Sequence, residues 1–262
     1  MAHVAALYRY PVKGFTPEAC DTLTVLDEGK IAGDRVLGVR FADTEAADDA
    51  WSRKSGMVAL INTPGLACLN VRFDEGSFRL HVSLGTSVLF DGSLDSQGRQ
   101  QLAAVLAGYV ATLDVNPLTD HPERLPLRVI GDGHSPRYHD EAPGRITLHG
   151  RGSLEAVQAA VGNEVSELRF RSNIAIDGLT AWEEQSWIGQ KIRIGRIEFD
   201  VVQPKTRCLA THANPITGQR DLPILTTLTQ KLGQENPTFA VAMLPSGGGG
   251  QVRVGDEVAL VN

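Results

Sequence analysis

The segment at positions 203–221, QPKTRCLATHANPITGQRD, carries the residues best suited to chemistry. Cys208 follows Arg207 directly and Lys205 closely, and neighbouring cations favour the thiolate form of a cysteine. The thiolate is the form that acts as a nucleophile or as a ligand for a soft metal ion. The alternative interpretation is a buried, inert cysteine, which is what most lone cysteines are. Spacing alone leaves both interpretations open.

The common catalytic and nucleotide-binding motifs are missing from the sequence. It contains no GxGxxG after a strand, no GxxxxGK[ST], no GxSxG and no HExxH. The three cysteines, Cys20, Cys68 and Cys208, form no CxxC pair and are too few for an ordinary four-thiolate iron–sulfur cluster. A redox reaction in this chain would therefore draw its electrons from a separate protein.

Composition narrows the class of protein. The chain has 262 residues, a net charge of −6 and a pI of about 5.6, whereas a nucleic-acid-binding domain normally has a basic surface. No run approaches the roughly 20 apolar residues of a membrane-spanning helix. The first residues lack the basic start and long apolar run of a signal peptide. The sequence therefore predicts a globular, cytoplasmic protein with no nucleic-acid partner and no membrane partner.

Short alternating segments separated by Gly, Asp and Asn predict mostly β-strands. Strands are expected at positions 3–10, 22–26, 36–42, 57–61, 66–73, 78–84, 88–90, 127–130, 145–149, 191–194, 197–202, 239–244 and 257–261. Gly195 and Arg196, between two of these strands, predict a tight hairpin. The order of elements does not show the strand–helix alternation that is typical of βαβ units.

Helical spacing of apolar residues predicts three helices, at positions 100–110, from Ser153 onward, and at 222–232. Ser153 is expected to be the N-cap of the second helix. Three prolines between positions 116 and 126 predict a boundary between residues 1–120 and residues 121–262. The predicted fold is mainly β (α+β), with two β-barrel-like lobes and a few covering helices.

A resemblance to a known family rests on short motifs that span nearly the whole chain. They are Tyr10–Lys13 (YPVK), Gly33–Arg35 (GDR), Phe170–Asn173 (FRSN), Arg207-Cys208 with Thr211, Asn214-Pro215, Thr217-Gly218 and Val254–Asp256 (VGD). With these motifs in this order, the sequence resembles the MOSC superfamily (molybdenum cofactor sulfurase C-terminal domain) and the β-barrel domain that often precedes it. It is most similar to the reductases of amidoximes and other N-hydroxylated compounds.

The resemblance implies a cleft between the two lobes that holds a molybdenum–molybdopterin cofactor, with Cys208 as the metal ligand and catalytic residue. The residues that match the cofactor contacts are Lys13, Gly14, Arg35, His139, Asp140, Glu141, Arg171, Asn173, Thr206, Arg207 and Thr211. Among them the basic residues suit the cofactor phosphate, since the planar guanidinium of arginine binds phosphate oxygens in pairs. Asp140 is expected to accept hydrogen bonds from pterin N–H groups, and Asn173 and Thr211 to hold the surrounding loops.

The same resemblance implies that the bound metal takes an oxygen atom from an N–O bond, while a ferredoxin- or flavin-type reductase supplies the electrons. The sequence departs from the family at Gly14, where a serine is common, and at Asn214, where an aspartate is common. Two other functions stay open. Cys208 would hold a persulfide in a sulfur-carrier or cofactor-handling protein, or the cleft would bind a small anionic ligand without catalysis.

Overall fold

A computed structural model describes residues 1–261, and its architecture is mainly β-sheet with a few helices, as the sequence predicts. The strands are β1 (His3–Arg9), β2 (Glu18–Cys20), β3 (Thr22–Val25), β4 (Gly38–Arg40), β5 (Leu69–Asp74), β6 (Arg79–Leu84), β7 (Ser87–Ser93), β8 (Arg128–Ile130), β9 (Ile146–Gly150), β10 (Ile174–Asp177), β11 (Lys191–Ile194), β12 (Ile197–Thr206), β13 (Thr238–Pro245), β14 (Gly250–Arg253) and β15 (Val258–Leu260). The helices are α1 (Ser96–Ala111), α2 (Arg151–Val161), α3 (Glu183–Ser186) and α4 (Ile224–Thr226), the last continuing as a π-helix over Thr227–Lys231.

The largest sheet has eight strands in the order β15-β11-β12-β13-β9-β10-β1-β2. Strands β1 and β2 therefore complete a sheet whose other members come from the C-terminal half. Two further pairs, β3 with β14 and β4 with β8, also join the two halves, and β5-β6-β7 forms a separate meander. The division near residue 120 stays a prediction, but pairing between strands binds the two predicted halves to each other at three places.

The two largest apolar cores each contain residues from both halves of the chain. One packs α1 against the β5-β6-β7 meander, with Phe41 and Leu102 among its buried members. The other lies along the eight-stranded sheet and includes Leu23 and Val25 from β3. Helix α1 begins at Ser96, earlier than expected, because the side chain of Asp95 accepts a hydrogen bond from the backbone N–H of Gly98 and caps the helix.

The succession β9-α2-β10 is a βαβ unit, so the expectation that the chain lacks this motif is wrong. Strands β9 and β10 are parallel neighbours, with Leu148 opposite Ile174. Helix α2 ends at Gly162, whose positive φ of 82° is suited to glycine. Periodicity in the sequence does not reveal this unit, because a long connection separates α2 from the second strand, β10.

Three local predictions are also wrong. No strand covers positions 57–61, because the side chain of Asn62 bonds the backbone of Met57 and Ala59 and forms a turn there. The strand expected at 66–73 begins only at Leu69, after a 3₁₀ helix at Pro64–Cys68. The N-cap of α2 is Gly150 and not Ser153. The Ser153 hydroxyl instead donates to the buried Glu184 carboxyl.

Phe239 on β13 belongs to a third, smaller apolar core that also contains Phe170 and Leu228. Its ring is fully buried and stacks on Phe170, with ring centres 3.7 Å apart. We expect Phe239→Ala to lower the free energy of unfolding by about 3–5 kcal/mol, because a buried aromatic ring leaves a cavity. Urea unfolding measures the change. Val88→Ala, at a 59% exposed position, is the control and should change it by less than about 0.5 kcal/mol. Equal stability of the two variants would contradict this account of the core.

Within residues 1–261, the structure contains no helix with the length and apolar composition needed to cross a membrane.

Candidate functional site

A cleft of about 880 Å³, partly open to solvent, lies where the two halves of the chain meet. Residues from both halves line it, including every residue singled out from the sequence except Asn173. These are Lys13, Gly14, Arg35, His139, Asp140, Glu141, Arg171, Thr206, Arg207, Cys208 and Thr211. The structure therefore brings residues that are far apart in sequence to one site.

Cys208 lies two residues after the end of β12 and directly before the 3₁₀ helix Leu209–His212. Its carbonyl oxygen accepts hydrogen bonds from the backbone N–H and the hydroxyl of Thr211, at 3.1 and 3.0 Å. These bonds hold the turn that carries the thiol, and the part of Thr211 in the cofactor site stays a prediction. The Cys208 side chain is half-buried in the cleft wall, so its sulfur is both fixed and accessible.

The cation in direct contact with the sulfur is Lys54, whose Nζ lies 3.5 Å from Cys208 Sγ. The sequence pointed to Lys205 and Arg207 because they are close neighbours in the chain. Lys205 instead pairs with Glu141, and Arg207 donates to backbone carbonyl groups. Nothing in the sequence around Lys54 indicates this contact, since 154 positions separate it from Cys208.

Arg35 and Arg171 lie over the ring of Tyr10, with their guanidinium carbons 4.8 and 4.3 Å from the ring centre. Both arginines have a positive φ, 55° and 56°, which is costly for residues other than glycine and is most common at functional sites. Asp34 forms an ion pair with Arg35, and Arg171 donates to the carbonyl of Phe15. Tyr10 is therefore the platform that orients two cations toward the cleft.

Arg207 is fixed by the core behind the cleft. Its Nε donates to the carbonyl of Phe239 and its Nη1 to the carbonyl of Phe170, both at 2.7 Å. Burial lowers the pKa of Arg207 to about 10, although the nearby Cys208 opposes this shift. Burial, together with Arg35, also lowers the pKa of Arg171 to about 10. Both arginines stay protonated at neutral pH, so the cleft retains their charge.

The loop at positions 139–141 supplies the negative charge of the site. Asp140 forms an ion pair with Lys13 at 2.7 Å, and Lys13 is only 4% exposed. Desolvation alone would raise the pKa of Asp140, but Lys13 and Lys54 outweigh it and hold that pKa far below its usual range. Glu141 lies between two cations, with Lys205 at 2.5 Å and Arg145 at 2.9 Å. Both carboxylates are therefore ionised in the cleft.

The cleft as a whole is strongly basic, although the protein is acidic. Eight of its lining residues are Lys or Arg, against the two carboxylates of Asp140 and Glu141. The eight are Lys13, Arg35, Lys54, Arg145, Arg169, Arg171, Lys205 and Arg207. A concentration of fixed cations inside a protein of net charge −6 indicates a binding site for an anion.

His139 is buried in the wall of this basic cleft. Burial, reinforced by Arg35, lowers its pKa to about 3, so the imidazole is neutral. Among the described residues its Nε2 has no hydrogen-bond partner. A buried polar atom without a partner is costly, and such atoms are often satisfied by a ligand.

The low pKa of His139 predicts a loss of stability in acid. The unfolded chain takes up a proton near pH 6.5, whereas the folded chain does so only near pH 3. The free energy of unfolding should therefore fall as pH drops below 6.5, by up to about 1.4 kcal/mol per pH unit for one such group. We expect His139→Gln to have a shallower slope between pH 7 and 5 in urea unfolding. The exposed His3→Gln is the control, and a slope like that of the wild type in His139→Gln would contradict the prediction.

Asn173 does not line the cleft. Its Oδ1 accepts hydrogen bonds from the backbone and side chain of Thr147, both at 3.3 Å, and its Nδ2 donates to the carbonyl of Tyr8. It thereby ties β9 and β1 to the segment that carries Arg171. The structure therefore places Asn173 behind the cleft, and its part in the cofactor site stays a prediction.

Sequence reasoning missed several residues of the site besides Lys54. Arg169 donates to the carbonyl of His212 at 2.9 Å and pairs with Asp221 at 2.7 Å, which fixes the loop after Cys208. Tyr10 is the first residue of the motif YPVK, and Arg169 directly precedes the motif FRSN. Their positions in the sequence could therefore have indicated that both belong to the site. Within residues 1–261, the structure contains no group of three or more His, Cys, Asp or Glu side chains arranged to hold a metal ion.

Comparison with known proteins places this architecture in a family. Residues 136–259 match the MOSC domain. Mitochondrial amidoxime-reducing component 1 from Mus musculus is 32% identical over 293 aligned residues, which cover 98% of this chain and 82% of the relative. The chain belongs to the MOSC family. The Homo sapiens protein of the same name is 29% identical, with the same coverage of both chains. A molybdenum cofactor sulfurase from Caenorhabditis elegans is 31% identical over 44% of this chain, but the match spans only 16% of that sulfurase.

The segment that matches the MOSC domain contains only part of the cleft. It includes Cys208 and the arginines at 171 and 207, whereas Lys13 and Arg35 precede it. In this MOSC protein, the pairing of strands between the two halves of the chain places Lys13 and Arg35 in the cleft. The site is therefore complete only when the residues before position 136 are present.

Proposed function

We propose that this MOSC protein binds a molybdenum–molybdopterin cofactor and reduces N-hydroxylated compounds with electrons from an external donor. The observation that carries the proposal is the position of Cys208, a fixed and accessible thiol in a cleft lined by eight cationic side chains. Support also comes from the amidoxime-reducing relatives that align with nearly the whole chain.

The residues of the cleft fit this cofactor by their chemistry. Its phosphate would take hydrogen bonds from Arg35 and Arg171, which have paired N–H donors and are held in place by Tyr10. Asp140 would accept hydrogen bonds from pterin N–H groups, as an ionised carboxylate can. The neutral His139 has a buried nitrogen free for a partner. Cys208 would provide one sulfur ligand to molybdenum, a metal that accepts soft ligands.

The side chains of the cleft would bind the cofactor, orient it and polarise it by their charge. When bound, the cofactor would supply the two-electron removal of oxygen from an N–O bond, which no side chain here can perform. The net reaction consumes two electrons and two protons and releases water as the N–O bond breaks. Cys208 would remain a ligand and would not be consumed, and the hydrogen bonds from Thr211 to its carbonyl hold the turn that carries it. The fixed cations keep the anionic cofactor in one orientation, because their own hydrogen bonds to carbonyl groups restrict their movement.

We further propose that the electron donor is a ferredoxin- or flavin-type reductase and that the substrate is a small molecule. The three cysteines are free thiols, and the described residues contain no group of three or more His, Cys, Asp or Glu side chains that could hold a metal ion. The cytoplasmic location, the absence of nucleic-acid or membrane partners, and the division into an N-terminal domain (1–120) and a MOSC domain (121–262) remain parts of this proposal.

A second candidate is a cofactor-handling protein in which Cys208 holds a persulfide. The match to molybdenum cofactor sulfurases favours it, although that match covers a small part of those relatives. Sulfur that cyanide releases from metal-free protein would support this function. Molybdenum content with turnover would support the reductase.

The experiment is purification from a host that makes molybdenum cofactor, followed by metal analysis and an assay with a chemical reductant. We expect about one molybdenum per chain and reduction of an amidoxime or a hydroxylamine. Protein that carries molybdenum but reduces no N–O substrate would contradict the reductase function and leave the cofactor assignment standing.

A further inference from the structure

Lys54 approaches the thiol of Cys208 from the half of the chain that precedes the MOSC domain match. Its Nζ is 3.5 Å from Sγ, within hydrogen-bond distance for sulfur. Among residues 1–261, no carboxylate lies within ion-pair distance of this nitrogen. The sulfur is therefore the direct partner of a half-buried ammonium group, and no role in the cofactor site was assigned to Lys54 from the sequence.

The backbone around Lys54 is held on both sides. Before it, the indole of Trp51 donates to the carbonyl of His139 at 2.9 Å, and buried Ser52 accepts from Arg40 at 3.2 Å. After it, the carbonyl of Gly56 accepts from the backbone N–H of Phe41 at 3.1 Å. Lys54 starts the short 3₁₀ helix between these anchors. The contact with Cys208 is thus made from a fixed segment and not from a free loop.

The other partner of the contact is equally fixed. Two hydrogen bonds from Thr211 to the Cys208 carbonyl hold the turn that carries the sulfur. A hydrogen bond to a metal-bound thiolate withdraws electron density from the sulfur, and the nearby positive charge acts in the same direction. Both effects stabilise the more reduced state of a metal at that sulfur.

We propose that Lys54 is a positioning residue that donates a hydrogen bond to the sulfur ligand and raises the midpoint potential of the bound metal. The proposal rests on the function proposed above, since it requires molybdenum at Cys208. It assigns to the N-terminal half of the chain a part in the redox chemistry, in addition to binding the cofactor.

The test is a redox titration of the molybdenum-loaded protein, in which electron paramagnetic resonance of molybdenum measures the midpoint potential. Lys54→Met and Lys54→Gln remove the charge, and we expect the midpoint to become more negative by about a tenfold change in the one-electron equilibrium, which is about 59 mV. Lys54→Arg keeps the charge and a donor, so it should restore most of the wild-type potential. Lys205→Gln is the matched control, because Lys205 lines the same cleft but pairs with Glu141.

The outcomes separate this inference from the proposed function. Equal midpoints in wild type and Lys54→Met at equal molybdenum content would overturn the role of Lys54 alone. A shift in Lys205→Gln as large as in Lys54→Met would also overturn it, because charge anywhere in the cleft would then suffice. Wild-type protein that takes up no molybdenum would overturn the proposed function and this inference with it.

Discussion

Cys208→Ala is expected to lose nearly all bound molybdenum and all reduction of N-hydroxylated substrates. The substitution removes the only sulfur that the cleft offers among the described residues, since Cys20 and Cys68 do not line it. It removes little volume from a half-buried position, so the folded structure should survive. Metal analysis and an assay with a chemical reductant measure the two effects.

The controls for this prediction are Cys20→Ala and Cys68→Ala. The Cys20 thiol lies near the carbonyl of Glu18, and the Cys68 thiol donates to the carbonyl of Ile216. Both variants should keep molybdenum and activity. If Cys208→Ala keeps its metal and its turnover, the assignment of the cysteine ligand is wrong.

Arg171→Ala and Arg35→Ala are expected to weaken retention of the cofactor by about ten- to a hundredfold each. A charge-assisted hydrogen bond contributes roughly 1.5–3 kcal/mol, which corresponds to one to two decades of affinity. Arg171→Lys should lie between wild type and Arg171→Ala, because lysine keeps the charge but lacks the paired donors. The measurement is the molybdenum content remaining after dialysis.

Stability must be matched before these variants are compared, because Arg171 also donates to the carbonyl of Phe15. Urea unfolding of each variant provides that check. Arg79→Ala is the control, as this arginine is 49% exposed and pairs with Asp91 far from the cleft residues. Equal cofactor content in all of them, at equal stability, would show that Arg35 and Arg171 do not bind the cofactor.

Much of the fold follows from periodicity in the sequence. Alternation in β12 places Ile197, Phe199 and Val201 in the core, and the hairpin at Gly195 forms as expected. Periodicity fails where a segment is short or its partner is distant. Strand β10 has only four residues and pairs in parallel with β9, although helix α2 and a further irregular segment separate the two strands in the chain.

The residues of the candidate site likewise fall into those that the sequence indicates and those that only the folded structure reveals. Motifs that are weak singly but specific in combination singled out Cys208, Arg35 and Arg171, and the structure brings all three to the cleft. The motifs did not identify Lys54, which begins a 3₁₀ helix of only three residues and reaches Cys208 only through tertiary folding. The contribution of Tyr10 is visible in the motif YPVK, but its role as a platform for two cations depends on packing that no local pattern encodes.

The most direct test of the central claim is X-ray absorption spectroscopy at the molybdenum edge, on wild type and on Cys208→Ser. Serine offers an oxygen in place of sulfur, so part of the metal should stay bound and the first coordination sphere can be compared. We predict one sulfur neighbour fewer and one oxygen neighbour more in Cys208→Ser. An unchanged number of sulfur neighbours at equal molybdenum content would show that Cys208 does not ligate the metal.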